Sequence, residues 1–439
     1  MNANTSIQKY SALAIAVTLA LPTQAVTLNE TVQQALSSNP QVQASMQSRN
    51  AREQEMKAAK SDYYPQVYIA AAIGEENTDS PYTRTLPPNG ESIDLTRQEV
   101  ALVIKQSLYS GFSTSAKVDA TRARFDAAGY QLTATSERVT LQTANIYLAV
   151  MRDKQLLELA NDNLDQHKQI FDRVKQRSEQ GVGRKADQLQ AEGRLALAES
   201  HVIAAEANQL NTSVNYNRVV GTMPENDMQM PTSFAEALPD TLQEAIDITL
   251  KNNPDVQTAN THVTAAKAQH TSSRSNYYPQ LDLVFEQTWD ENLDGVEGNN
   301  DGYSIMLKMR YDLFNGGGDV ARSRQTAYLV DESRAQQDYA QRLIVEDLNL
   351  AWTTYKALRR QLIFRKQHVD ASAQTLDAYT KQFNLGQRTL LDLLDAHNEL
   401  FEANRAYLAA QFDSIYQQYR ILADMGQLAA RFSTKNASN

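Results

Sequence analysis

Asp392 and Asp395 stand three residues apart, a spacing that puts both carboxylates on one face of a helix, and Glu399 and Glu402 continue that face. Such a stripe supports two readings. Where copies of the helix surround a common axis, a ring of carboxylates selects cations, and its members push one another's pKa values up. On an isolated rod the same stripe is a solvated coiled-coil face. A second acidic group, Asp290, Asn292 and Asp294 followed by Asp301, fits a calcium-loop pattern except that its last ligand is Asp and not Glu. It falls at a strand–strand tip, where a solvated acidic loop explains it equally. Asn315-Gly316-Gly317-Gly318-Asp319 has the glycines of a phosphate loop, but a strand-to-helix turn accounts for them. The six histidines include no His-Glu-x-x-His, and no nucleophile–base pair stands out, so an enzyme is not expected and no cofactor is implied.

Composition narrows the classes further. The chain carries 42 Lys and Arg against 52 Asp and Glu, a net charge of −10, which argues against a nucleic-acid partner. It has no cysteine, which excludes disulfides, thiolate metal sites, cysteine nucleophiles and a lipid-attachment cysteine. The first residues read as a secretory signal over 1–25, with Lys9 as the positive region, Ala12 to Leu21 as a short apolar core and Thr23-Gln24-Ala25 as the cleavage site. No later stretch reaches the roughly 18 apolar residues of a spanning helix.

The elements that must hold these side chains come in duplicate. Tyr63-Tyr64-Pro65-Gln66 recurs as Tyr277-Tyr278-Pro279-Gln280, and Leu28 to Pro40 aligns with Leu242 to Pro254 at the same offset of 214. Farther on, Leu108-Tyr109-Ser110-Gly111 matches Leu313-Phe314-Asn315-Gly316 at an offset of 205, which Gly181/Gly386, Asp187/Asp392 and Gly221/Gly426 keep. The acidic stripe belongs to the second copy only, since the first has Asp187, Gln190, Arg194 and Leu197 at the matching places. The predicted division is a first repeat over 26–222, a connector over 223–240, a second repeat over 241–432 and a disordered tail over 433–439.

Each Tyr-Tyr-Pro is a junction. Proline lacks an N–H and keeps the residue before it out of the α region, so the preceding helix stops there. Alternating strands follow, expected at about 65–74 and 99–109 in the first copy and about 280–289 and 303–314 in the second. In the last of these Ile305, Leu307, Met309, Tyr311 and Leu313 share one face. Alternation alone fits a soluble half-buried sheet. The length, about ten residues, and the aromatic residues at the strand bases fit a membrane-crossing barrel. The rest is long helix: core residues step by seven through Leu348, Tyr355, Leu362, Val369, Leu376 and Phe383, and again through Val150, Leu157, Leu164 and Phe171, as coiled coils require. Four strands cannot seal an edge in lipid, so copies of the chain must pool them. Two copies make a barrel filled by its own side chains, and three make the smallest with a bore.

The duplicated plan, the two Tyr-Tyr-Pro-Gln junctions and the run Leu385-Gly386-Gln387-Arg388-Thr389-Leu390-Leu391-Asp392-Leu393-Leu394-Asp395-Ala396 resemble the TolC family of outer-membrane efflux and secretion channels. The resemblance covers Val26 to Phe432. It implies a mainly α protein with membrane β structure: a tandem-repeat protomer that forms a homotrimer with a twelve-stranded outer-membrane β-barrel. A long periplasmic α-helical coiled-coil barrel continues it in a Gram-negative bacterium. By the same resemblance Asp392 and Asp395 match the family's pore constriction, Arg388 its gate arginine and Asp187 that arginine's acidic partner. Phe383 stands where a well-known member has a gate tyrosine, so a hydroxyl is missing from the latch. The implied partners are outer-membrane lipid, a periplasmic adaptor (membrane fusion protein) and an inner-membrane ABC or RND transporter. The missing lipid-attachment cysteine, common among drug-efflux relatives, favours type I protein secretion, with efflux of drugs or small molecules as the second reading. The rival class is a soluble periplasmic coiled-coil adaptor or scaffold, for which no lipoyl-like region or inner-membrane anchor is visible in the sequence.

Overall fold

Threonine and asparagine caps decide where the helices begin in this computed structural model, which describes residues 26–85 and 92–432. The predicted signal and tail lie outside the described residues. Thr27 and Glu30 close a capping box on α1 (Leu28–Ser38), and Thr241 caps α5 (Leu242–Asn252) in the second copy. Asn39 and Asn253 cap the next helices, α2 (Pro40–Lys60) and α6 (Pro254–Ser273), each with proline at its first position. A 3₁₀ turn follows each, Ser61–Tyr63 and Ser275–Tyr277, and the strands start directly after Pro65 and Pro279.

The strands β1 (Gln66–Thr78), β2 (Ile93–Tyr109), β3 (Gln280–Glu291) and β4 (Asn299–Arg310) form one antiparallel sheet in that order, so β2 joins β3 across the repeat and β1 and β4 are open edges. Register places Val67, Ile104, Phe285 and Ile305 in one row, and Ile69 and Leu102 in the adjacent row of the same face. The opposite face carries Arg97 bridging Glu76 and Glu99, and Lys105 2.8 Å from Asp282. Ile69 is 71% exposed and Leu307 64%. Burying such a side chain is worth about 1.5–3 kcal/mol, so an apolar face left in water would be costly and one facing hydrocarbon is not. β4 stops at Arg310, short of the expected Phe314, because its partner β3 begins at Gln280 and nothing on that side reaches Tyr311.

From the sheet run two rods of 67 residues each, α3 (Ser113–Glu179) and α7 (Gly318–Asn384), about 100 Å long at 1.5 Å per residue. They return as α4 (Lys185–Val220) and α8 (Leu390–Asp424), and a short α9 (Leu428–Arg431) ends the described chain. The seven-residue series is turned inward: Leu348, Tyr355, Val369 and Val150 are buried, and on the returning α8 so are Leu394, Phe401 and Leu422 at the same spacing. The main core sits midway along the rods, where Val32, Tyr147, Tyr216, Tyr419 and Leu428 meet from both repeats. It also fixes the connector: the Tyr419 hydroxyl donates to Thr232 O at 2.8 Å, and Val26 pairs with Met228 in a parallel bridge. Among the described residues no helix is long and apolar enough to cross a membrane.

Candidate functional site

The two rod tips carry the residues singled out by sequence. At the second tip Thr389 Oγ1 accepts from Asp392 N at 3.2 Å, and Asp392 Oδ2 takes the Thr389 hydroxyl at 2.8 Å and its N–H at 3.3 Å. Asp392 therefore closes the capping box of α8, and those hydrogen bonds hold its carboxyl below the usual carboxylate range. Arg388 folds onto its own turn. Its Nε donates to Gln382 at 2.9 Å, its guanidinium lies 4.1 Å from the Tyr379 ring centre, and its Nη1 is 3.8 Å from Asp392 Oδ2.

Asp187 occupies the first turn of α4, where a carboxylate suits the helix dipole, and is half-buried. Within one chain the structure does not bring it to Arg388, whose Nε is engaged by Gln382 at the second tip. Phe383 is placed by apolar packing alone: it lies against a buried cluster of Ile170, Val174, Ala191, Leu390 and Leu394, which binds the two tips to each other.

Each carboxylate of the stripe has a cationic or imidazole partner. Asp395 Oδ1 receives Arg194 Nη2 of α4 at 2.7 Å, Glu399 meets His368 at 2.8 Å, and Glu402 meets Arg405 at 3.2 Å. Above the Asp395–Arg194 pair the core between the repeats contains imidazoles. His167 of α3 is buried with its Nδ1 unpartnered and faces His397 of α8 with ring centres 6.0 Å apart, and His201 of α4 stacks on Phe401 at 5.4 Å. Burial pushes His397 down to about 4 and His167 below its ordinary value, with Arg173 and Arg194 adding to the effect. Sequence reading missed this seam. Its only local signal was that three of six histidines fall at core-facing positions of three different rods.

The calcium pattern does not converge. Asp301 lies opposite Trp289, so it points to the other side of the sheet from Asp290. Asn292 spends its side chain on Thr96 O and Gly298 N, and Asp294 pairs with Arg97 at 3.3 Å. Among the described residues no group of three or more His, Asp or Glu is arranged to hold a metal ion. The junction residues Tyr63, Tyr64 and Pro65, with Tyr277, Tyr278 and Pro279, sit at the base of the sheet, and all four tyrosines are exposed.

Comparison with known proteins agrees with this architecture. The family described as outer membrane efflux protein matches residues 31–222 and 245–426, one match to each repeat. The outer membrane efflux protein BepC of Brucella suis is 24% identical over 92% of this chain and 86% of its own. The alkaline protease secretion protein AprF of Pseudomonas aeruginosa is 22% identical over 91% and 85%. Among solved structures the outer-membrane channel OprN superposes with a TM-score of 0.81 at 19% identity, covering 91% of this chain and 90% of that one. The outer membrane protein VceC of Vibrio cholerae gives 0.80 at 19% identity over 91% and 96%. With both repeats matched and the rod-and-sheet fold shared, the chain belongs to the family of TolC-like outer membrane efflux proteins.

Proposed function

We propose that the protein is a homotrimeric exit duct of the outer membrane, recruited and opened by a periplasmic adaptor and an inner-membrane transporter, and that it catalyses no reaction. One observation carries the trimer: the two repeats are alike in fold but not in surroundings. α3 packs on α1, α2 and α4 of its own repeat and on α6, α8 and α9, whereas α7 packs on α5, α6 and α8 and has one flank bare. Ala123 and Ala134 of α3 are 4% and 3% exposed; their repeat counterparts on α7, Tyr328 and Tyr339, are 73% and 68% exposed. A next copy supplying α2 and α4 to α7 would cover those tyrosines, just as α6 and α8 cover α3. Pooling strands closes the sheet, and three copies leave a bore where two do not.

In this reading 1–25 is the export signal, 26–222 and 241–432 are the repeats, and 223–240 is the connector. Asp392 and Asp395 from each copy line the narrow end of the tunnel, and Arg388 of one copy reaches Asp187 of the next as a latch. A guanidinium–carboxylate pair at an exposed tip is strong enough to hold a rod inward and weak enough for a docking partner to displace. The relatives include both a protease-secretion protein and pump components, so the cargo follows from the transporter. Crosslinking in cells followed by capture of the protein tests this. Co-capture of an ABC transporter with its adaptor supports protein secretion, an RND transporter supports small-molecule efflux, and recovery without either overturns the tripartite reading.

A further inference from the structure

The repeat offsets carry more than the existence of a seam between copies; they specify its register. An offset of 205 maps β2 onto β4, and an offset of 214 maps β3 onto β1. Inside one chain β2 and β3 pair with Val100 opposite Trp289, Ile104 opposite Phe285 and Gln106 opposite Leu283; past a bulge, Tyr109 lies opposite Leu281. We propose that β4 of one copy closes on β1 of the next in the transferred register. Ile305 then faces Glu75, Met309 faces Ala71 and Tyr311 faces Ile69; past a bulge at Leu313, Phe314 faces Val67. On closure Tyr311 to Phe314, which lie outside any strand in the single chain, become the last residues of β4. The inference rests on the homotrimer reading and adds to it which atoms meet.

Three features of the single chain support it. First, residues 106–109 of β2 are paired by β3 alone, because β1 starts at Gln66 opposite Lys105. Residues 311–314 are their counterparts, and the strand that would pair them is the one strand the single chain cannot supply. Second, Leu313 and Phe314 are 85% and 87% exposed. Tyr109, the counterpart of Phe314, is half-buried and joins an aromatic cluster, edge-on to Phe112 at 5.7 Å, which is in turn edge-on to Tyr278 at 5.5 Å. Third, Gly111 has φ +62° and lies so close to the second junction that a Cβ there would sit 2.4 Å from Ser275 O. Its counterpart Gly316 keeps the same left-handed conformation, φ +54°, with nothing within 4 Å. The transferred geometry puts Ser61 O of the next copy against it. A one-residue slip is excluded on sheet faces, since it would turn Lys308 and Arg310 to the apolar side; a two-residue slip is not, so the register is a separate claim from closure.

Because the chain has no cysteine, introduced thiols report on this seam alone. The test pairs Tyr311→Cys with Ile69→Cys, and for comparison with Val67→Cys and with Ala71→Cys, and oxidises outer membranes before denaturing electrophoresis. Ile69 lies on the edge strand β1 and Tyr311 directly follows the opposite edge strand β4, so any crosslink joins two copies. The expected result is several-fold more covalent dimer and trimer for Ile69/Tyr311 than for either shifted pair. A shifted pair that crosslinks best, or no pair that crosslinks, overturns the register. Native mass of the same samples separates the two claims: trimers with a shifted crosslink sink only the register, whereas monomers sink the duct. Gly316→Val is expected to lower the trimer fraction several-fold with helix content unchanged, and an unchanged trimer fraction contradicts the close approach at Ser61.

Discussion

Arg194 Nη2 stands 2.7 Å from Asp395 Oδ1, so a helix of the first repeat and a helix of the second are joined by charge about a turn and a half above the rod tip. Both side chains are partly exposed, and such a pair is worth less than about 1 kcal/mol. Its consequence is therefore electrical more than structural: under the proposed duct, Arg194 offsets one of the two aspartates assigned to the tunnel constriction.

Arg194→Ala is expected to strengthen cation selectivity and block by multivalent cations in single-channel recordings, with stability changed by less than about 1 kcal/mol. The double substitution Asp392→Ala with Asp395→Ala should weaken both. If neither variant moves the reversal potential, these carboxylates do not face the permeation path.

Arg388 is held by Gln382 and by the Tyr379 ring, contacts that need a planar guanidinium. Arg388→Ser should raise single-channel conductance several-fold, and Arg388→Lys, which keeps the charge and loses the fork, should fall between. Wild-type conductance in Arg388→Ser would count against a latch.

Glu137 is buried in α3, and its Oε2 accepts from Leu428 N at 3.0 Å and Ala429 N at 3.1 Å, anchoring α9. Burial outweighs those bonds and pushes its pKa from 4.5 to about 7. Removing the acceptor with Glu137→Ala leaves two N–H groups unpaired and should cost about 1–3 kcal/mol for each that stays dry. Glu137→Gln keeps an acceptor and should cost clearly less. Equal losses in a denaturant melt would contradict the anchoring role.

The pH dependence has two opposing parts. A carboxyl raised in the fold, as Glu137 is, contributes stability that is fully present below about 4.5 and is lost as pH rises through about 7. His397, lowered from 6.5 to about 4, acts in reverse: the unfolded chain takes up the proton first, so stability is full above about 6.5 and is lost as pH falls toward about 4. The slopes offset each other over nearly the same window. Asp424, which burial likewise pushes up to about 7, acts in the same sense as Glu137. Glu137→Gln should therefore make stability fall less steeply with pH between about 4.5 and 7, and His397→Asn should make it fall more steeply between about 4 and 6.5. Thermal melts at several pH values check both; profiles that move together in the two variants would contradict the assignment.

Much of this fold was legible because its signals are local. Proline after Tyr-Tyr stops a helix wherever it occurs, and the seven-residue series from Leu348 to Phe383 names its buried face without reference to a partner. Asp392 and Arg388 were found by spacing and resemblance, but their contacts were not. Helix periodicity shows which side of α8 turns inward, not that Arg194 meets Asp395 or that His167 meets His397 across two repeats. The end of β4 misled for a related reason. Alternation runs on to Leu313, but a strand lasts only as far as its partner, and β3 pairs β4 no farther than Gln280 opposite Arg310.

The claim on which the rest depends is that single chains pool their strands into a closed wall. Native mass determination of the protein extracted from outer membranes, followed by reconstitution of the same species into planar bilayers, tests it most directly. The account predicts a three-copy particle that inserts with discrete, ohmic conductance steps. A single-copy species recovered from the soluble periplasmic fraction, with no conductance, would contradict it.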